Sequence, residues 1–345
     1  MCRRMWVSCP IVKRLAAVVL GSALAVGASA CSGGGTDLTV YVGRAESLVG
    51  PLLEKFEEES GLSVDIRYDD SVNLALLLET EGGKTPADVF FSQSPGALGY
   101  LDGLGLLEPL PSSVTSLVSS ELSNPGGTWV GITGRVRVIA YNTELVSPDE
   151  LPASVLDLTA PEFSGQVGVA PSNGSFQDFV SAMRGALGDD ATAEWLAALA
   201  DNDAKVFSGN TEIIDAVARG EVKFGLVNQY YALKAKSENP DSPVDNYFFG
   251  GKDVGSVVLV SGAGIMKGSE HTEAAEQLLT FLLSEESQNY FVGETFEFPV
   301  VAGIASPGGG PAFEDLPELR TDLSLFGVDF DSTRAMIDAS GLATA

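Results

Sequence analysis

Short, almost wholly apolar runs alternate along this chain with longer stretches whose apolar residues recur every three or four positions. Leu38-Thr39-Val40-Tyr41 reads as a strand, and Leu48, Leu52, Leu53 and Phe56 then mark one face of a helix that Gly61 can stop. Ser63 to Tyr68 alternates polar and apolar like a half-buried strand. Leu74 to Leu78 is a helical run ending at Gly82-Gly83, Ala87 to Phe91 a buried strand, and Gly96 to Leu101 the start of a further helix. The rhythm returns later, with strands predicted at Val167 to Ala170 and Val222 to Val227. Helices are predicted from Phe176, over Ala193 to Leu199, Thr211 to Ala218, Ala232 to Lys236 and Glu273 to Leu283, with a weak one at Ser332 to Ala339. Alternating strands and helices imply an α/β protein with a mixed, mostly parallel sheet flanked by helices.

Two stretches break that rhythm. Trp129 to Tyr141 holds strand-forming residues over more than ten positions with Gly134 in the middle, and Gly255 to Gly262 is a second such stretch. Each is long enough to pass from one lobe into another, and two crossing strands make a hinge with a ligand cleft between the lobes. The expected division is 38–134 plus 261–305 for lobe 1, 135–260 for lobe 2, and 306–345 as a C-terminal segment packing across lobe 2 or the hinge. Trp129, Trp195 and Phe296 are expected in the cores.

The first thirty residues do not fit a folded domain. Arg3, Arg4, Lys13 and Arg14 precede an apolar run from Leu15 to Val26, which is of signal-peptide length and short for a bilayer span. Ala28-Ser29-Ala30-Cys31 resembles the lipobox of bacterial lipoproteins, so residues 1–30 read as a signal peptide. Cys31 then becomes a lipid anchor at the outer face of the cytoplasmic membrane, and residues 31–37 a flexible tether. With Cys2 and Cys9 removed, no internal disulfide can form. Four of the 20 basic residues and none of the 47 acidic ones leave with that segment, so the remainder carries 16 positive against 47 negative charges, a net −31. A field of that sign repels nucleic acid.

Polar residues gather where predicted strands give way to helices: Gly43-Arg44, Ser92-Gln93-Ser94, Pro171 to Ser175, Ser208-Gly209-Asn210 and Asn228-Gln229-Tyr230-Tyr231. In an open α/β sheet such positions face the ligand crevice and present helix N-termini to anions. The last of them holds two adjacent tyrosines. A phenolate is a hard anionic oxygen donor, and a pair of them suits a small trivalent cation such as Fe(III), although tyrosines also pack as ordinary core residues. His271, the one histidine, opens a surface helix and is not a candidate ligand. The common catalytic arrangements are missing: there is no G-x-S-x-G, no HExxH, and Gly82-Gly83-Lys84-Thr85 lacks the first glycine of a P-loop.

Several ordered motifs resemble the ferric-iron-binding proteins of bacterial ABC importers, which are type II solute-binding proteins with a transferrin-like two-lobed fold. They are Leu38 to Tyr41 with Gly43 to Leu48, Thr85 to Phe91, Gly105 to Leu110, Ala170 to Gln177, and Asn228 to Tyr231. The resemblance implies that Tyr230 and Tyr231 are iron ligands. It implies that Asn228, Asn210 and Ser94 hold a synergistic anion, carbonate or phosphate, and that Arg44 and Arg135 assist it. Gln93 falls where some members place a glutamate ligand, Ala45 where some place a histidine, and Asn173 where others place a third tyrosine. The implied function is extracytoplasmic capture of Fe(III) by a monomer that delivers it to an ABC permease. The substituted ligand positions leave open a same-fold binding protein for an organic or oxyanion solute (a polyamine, thiamine or a phosphorylated compound) or for iron already chelated.

Overall fold

The computed structural model describes residues 36–309, 313, 316 and 330–342. The predicted signal peptide, Cys31, most of the tether and much of the C-terminal segment lie outside these residues. In chain order the chain builds β1 (Leu38–Gly43), α1 (Glu46–Ser60), β2 (Val64–Tyr68), α2 (Ser71–Glu81), β3 (Val89–Ser92), α3 (Pro95–Gly103) and the short α4 (Ser112–Thr115). The long β4 (Trp129–Asn142) follows, then β5 (Val167–Val169), α5 (Gly174–Leu187), α6 (Asp189–Asp201), β6 (Lys205–Val206), α7 (Asn210–Ala218), β7 (Phe224–Asn228) and α8 (Gln229–Glu238). The remainder is β8 (Val244–Tyr247), β9 (Val258–Ile265), α9 (Thr272–Leu282), α10 (Glu285–Tyr290), β10 (Phe298–Pro299) and α11 (Phe330–Ala339).

The strands order as β2-β1-β3-β9-β4-β7-β5-β6, with β10 and β8 also on β4. Parallel pairing is confined to the two wings, β2-β1-β3 and β7-β5-β6, each strand followed by a helix. Every pairing in the middle is antiparallel. The middle is where β4 acts as the seam. Its residues 129–136 pair with β9, and from Arg137 onward its partners are β7 and β8. One continuous strand therefore pairs first with β9 and then with β7 and β8. The second predicted crossing strand starts later than expected. Val254–Ser256 is a single tight turn, because the Asp253 carboxylate accepts from the Gly255 N–H at 2.8 Å and caps it.

Local chemistry explains most element ends. The α1 helix stops at Gly61 in the left-handed region (φ 72°), and the Ser94 hydroxyl caps α3 by accepting from the Ala97 N–H at 3.4 Å. Trp129 and Trp195 are core residues as expected. Phe296 is not: it is half-buried with φ 57°, at the end of a wide helical turn over Phe291–Thr295. Its backbone is used instead of its ring, since its carbonyl accepts from the Gln229 side chain at 3.1 Å.

Among the described residues of the C-terminal segment, Phe313 reaches the seam. A Cβ on Gly134 would lie 2.3 Å from the Phe313 ring, which also stacks on Phe298 with centroids 5.4 Å apart. Glycine is there because that ring lies flat against the strand. Gly134→Ala should cost about 1–3 kcal/mol by overpacking. In a Phe313→Ala background most of that cost should vanish in chemical denaturation. Additive costs would mean that the ring and the strand do not share the space.

Candidate functional site

The β7 strand is apolar and fully buried up to Asn228, and α8 starts at the next residue. That junction turns the two tyrosines into the region where β4 changes partners. Their rings stack with centroids 4.3 Å apart and planes at 30°. Tyr230 is buried and Tyr231 half-buried. The Gln229 side chain fixes the start of the helix against the seam, accepting from the Val136 N–H at 2.8 Å and donating to the Phe296 carbonyl. Burial, then the neighbouring Tyr231 and the Glu297 carboxylate, push the Tyr230 phenol well above its usual value near 10, with Arg135 opposing.

Three arginines are buried at the same place: Arg44 at the end of β1, and Arg135 and Arg137 on one face of β4. Arg44 is consumed within the protein. Its Nη2 pairs with Glu297 at 2.5 Å, its Nη1 donates to Ser261 at 3.0 Å and more weakly to Thr133 at 3.4 Å, and it lies over the Phe91 ring. Burial works against its charge, but Glu297 outweighs burial and holds the guanidinium above its usual range. Arg135 reaches Asp178 of α5 at 3.5 Å through Nη2, while its Nε and Nη1 have no partner. Arg137, fully buried, has only neutral acceptors among the described residues: the Leu226 carbonyl at 2.7 Å, Asn228 at 3.2 Å and Ser175 at 3.3 Å. Burial pulls it down to about 9, so it stays charged at neutral pH.

The amides predicted for the site are present and partly occupied. Asn173 caps α5 by accepting from the Ser175 N–H at 3.0 Å, and its Oδ1 also accepts from the Ser175 hydroxyl and the Asn210 amide. Asn210 thus spends its Nδ2 internally and leaves Oδ1 unpartnered, whereas Asn228 gives Oδ1 to Arg137 and leaves Nδ2 unpartnered. Ser94 donates to Asp178 at 2.6 Å, linking α3 to α5. Gln93 is half-buried and held through its backbone by Ser71. Ser94 and Arg135 thus meet at Asp178, Asn173, Asn210 and Asn228 are linked through Ser175 and Arg137, Gln93 joins neither group, and Cys31 lies outside the described residues. Sequence reasoning missed Arg137, Asp178 and Glu297. For Arg137 a signal was available, because two arginines two positions apart in an apolar strand share a face. For Asp178 and Glu297 there was none.

Buried donors without acceptors are rare, and here they cluster: Arg44 Nε, Arg135 Nε and Nη1, Arg137 Nε and Asn228 Nδ2. With Asp178 and Glu297 ionised, three guanidinium groups face two carboxylates, an excess of one positive charge. A site of this kind accepts anionic oxygen. Among the described residues no cluster of three or more His, Cys, Asp or Glu forms. None of the described helices is long and apolar enough to cross a membrane.

The family of bacterial extracellular solute-binding proteins is matched over residues 84–316. The Fe(3+)-binding periplasmic protein of Serratia marcescens is 31% identical over 302 residues, which is 87% of this chain and 89% of that one. Iron-bound HitA from Pseudomonas aeruginosa superposes with a TM-score of 0.82 at 32% identity, covering 88% of this chain and 99% of that one. The Trichodesmium protein IdiA, or FutA, in complex with iron and citrate superposes at 0.76 with 27% identity, covering 88% and 99%.

Asp178 gives the site a pH signature. Burial raises its carboxyl to about 6, against the opposing pull of Arg135 and the Ser94 hydroxyl. The unfolded value is about 3.9, so the folded state binds this proton more tightly. Its contribution to stability is full below about pH 4 and is lost as pH rises through about 6, on the order of 3 kcal/mol. In Asp178→Asn that part of the stability–pH curve should flatten. Parallel curves for variant and wild type between pH 4 and 6 would contradict it.

Proposed function

The chain belongs to the family of bacterial extracellular solute-binding proteins, and on that premise we propose that it captures Fe(III) on the Tyr230–Tyr231 pair, with an exogenous oxyanion, and passes it to an ABC permease. That family binds solutes rather than transforming them. The observation carrying the proposal is the stacked tyrosine pair set at a strand's carboxyl end among buried arginines. The relatives' names support iron as the cargo, since they are an Fe(3+)-binding periplasmic protein and an iron-bound protein.

Charge accounting supports the anion. The buried arginines and carboxylates sum to one positive charge; two phenolates bring this to −1, and Fe(III) to +2. A dianion such as carbonate or hydrogenphosphate restores neutrality, which a water-poor site requires. Arg135 and Asn228 hold the free donors for it, with Asn210 offering an acceptor to a protonated anion oxygen. Arg44 serves by position, locked to Glu297. The cleft lies between lobes of 38–134 plus 261–305 and of 135–260, with β4 as the hinge strand, and Cys31 tethers the monomer to the membrane. A second reading, chelated iron, is favoured by the relative that holds iron and citrate, whose carboxylates could meet the same arginines.

Both phenols must lose protons to bind iron, and burial makes that loss harder at Tyr230. Affinity should fall as pH drops, by up to about tenfold per pH unit for each proton released, roughly 1.4 kcal/mol each. The check is an iron titration from pH 5 to 8 followed by the phenolate-to-iron visible band. Tyr230→Phe and Tyr231→Phe should each weaken binding strongly, and the double variant should lose the colour. A pH-independent curve, or a coloured double variant, would return the protein to the organic or oxyanion solutes. Repeating the titration in anion-depleted buffer, then with carbonate, phosphate or citrate, separates bare from chelated iron. Independently, Cys31→Ser should release the protein from membranes, and undiminished membrane association would remove the anchor.

A further inference from the structure

Arg137 is the one buried cation of the site whose partners among the described residues include no carboxylate. Burying an unpaired charge costs several kcal/mol unless an opposite charge arrives. Its fork is used in a specific way. Nη2 is pinned to the Leu226 carbonyl of β7, three residues before the start of the tyrosine helix, and the guanidinium lies over the ring of Phe179 with its carbon 5.4 Å from the centroid. Nη1 donates to the Oδ1 of Asn228, and that contact decides which way the Asn228 amide points. A guanidinium admits only an acceptor, so the Asn228 Nδ2 is forced away from it and stays buried without an acceptor. The same Nη1 donates to the Ser175 hydroxyl, which in turn donates to Asn173 and leaves Asn210 with a free Oδ1.

We propose that Arg137 is a positioning residue for the anion that accompanies the cargo: it aims the Asn228 amide at the anion and supplies the positive charge that the anion neutralises. This rests on the reading of the site as one that binds iron together with an oxyanion. It assigns the anion's demand to a residue that stands behind the binding groups. It also accounts for an arginine that no internal carboxylate satisfies, while Arg44 and Arg135 each have one. Nothing in the geometry requires Arg137 to touch the iron.

The experiment uses the mature full chain and measures the phosphate concentration, and separately the carbonate concentration, at which half of the visible iron band forms at fixed Fe(III) and pH. Phosphate binding to the iron-free protein is followed by calorimetry alongside. Loss of a charge-assisted hydrogen bond and of the charge predicts a midpoint raised about tenfold or more in Arg137→Gln. Arg137→Lys, which keeps the charge but cannot hold Leu226 and Asn228 together, should fall in between. Asn228→Asp gives Arg137 a carboxylate and removes the N–H donor, and should raise the midpoint as far as Arg137→Gln does. A merely structural arginine would lower the melting temperature without moving these midpoints, so unchanged midpoints in the arginine variants overturn the proposal. If Arg137→Gln does not fold, Arg137→Lys decides it alone, since an unmoved midpoint there is equally fatal. A wild-type band that forms fully without either anion overturns the anion reading underneath, and this inference with it, whereas a wild type that needs the anion and variants that behave like it overturn this inference only.

Discussion

The rest of the structure depends on keeping positive charge out of water at the seam of the sheet. Three guanidinium groups are buried where β4 leaves β9 for β7 and β8. Such burial is costly unless partners are close and fixed. The fold meets that cost by bringing distant segments to one place: Glu297 from beyond α10, Asp178 from α5, Ser94 from the cap of α3, and Ser261 from β9. Each contact joins segments far apart in the chain, so the site and the packing of the two wings are one arrangement. The charge left over is the electrostatic ground on which the proposed anion rests.

A further contact ties the tyrosine pair to the seam strand. Gln229 precedes the tyrosine pair and holds both the Val136 N–H of β4 and the Phe296 carbonyl, so a rotation at the seam would be felt at the start of α8. Phe296 pays with a left-handed backbone, a conformation costing a side-chain-bearing residue on the order of 1–3 kcal/mol. The Ser94–Asp178 hydrogen bond joins the helix after β3 to the helix after β5, one on each wing. The two wings are thereby joined through buried polar contacts.

Much of this was legible in the sequence. Period-two and helical spacing located the wings, and the long strand-forming stretch from Trp129 located the seam. Polar loops after strands located Arg44, Ser94, Asn173, Asn210, Asn228 and the tyrosines. What stayed hidden was set by tertiary packing. Asp178 looks like any solvent-facing acid of an amphipathic helix until Ser94 and Arg135 close over it. Glu297 sits in an irregular stretch between a wide helical turn and a two-residue strand, where no periodicity reports burial. Phe296 reads as core by composition, yet the turn that places Glu297 rotates its ring partly outward.

The central claim is that Tyr230 and Tyr231 hold the ferric ion amid this buried charge. Anomalous diffraction at the iron edge, from crystals of the mature protein loaded with Fe(III) and carbonate, tests it most directly. The account predicts a single strong peak within bonding distance of both phenol oxygens, with density for an oxyanion between it and Arg135 and Asn228. A peak that neither tyrosine reaches, or no peak from protein that binds another solute in the same cleft, would contradict it.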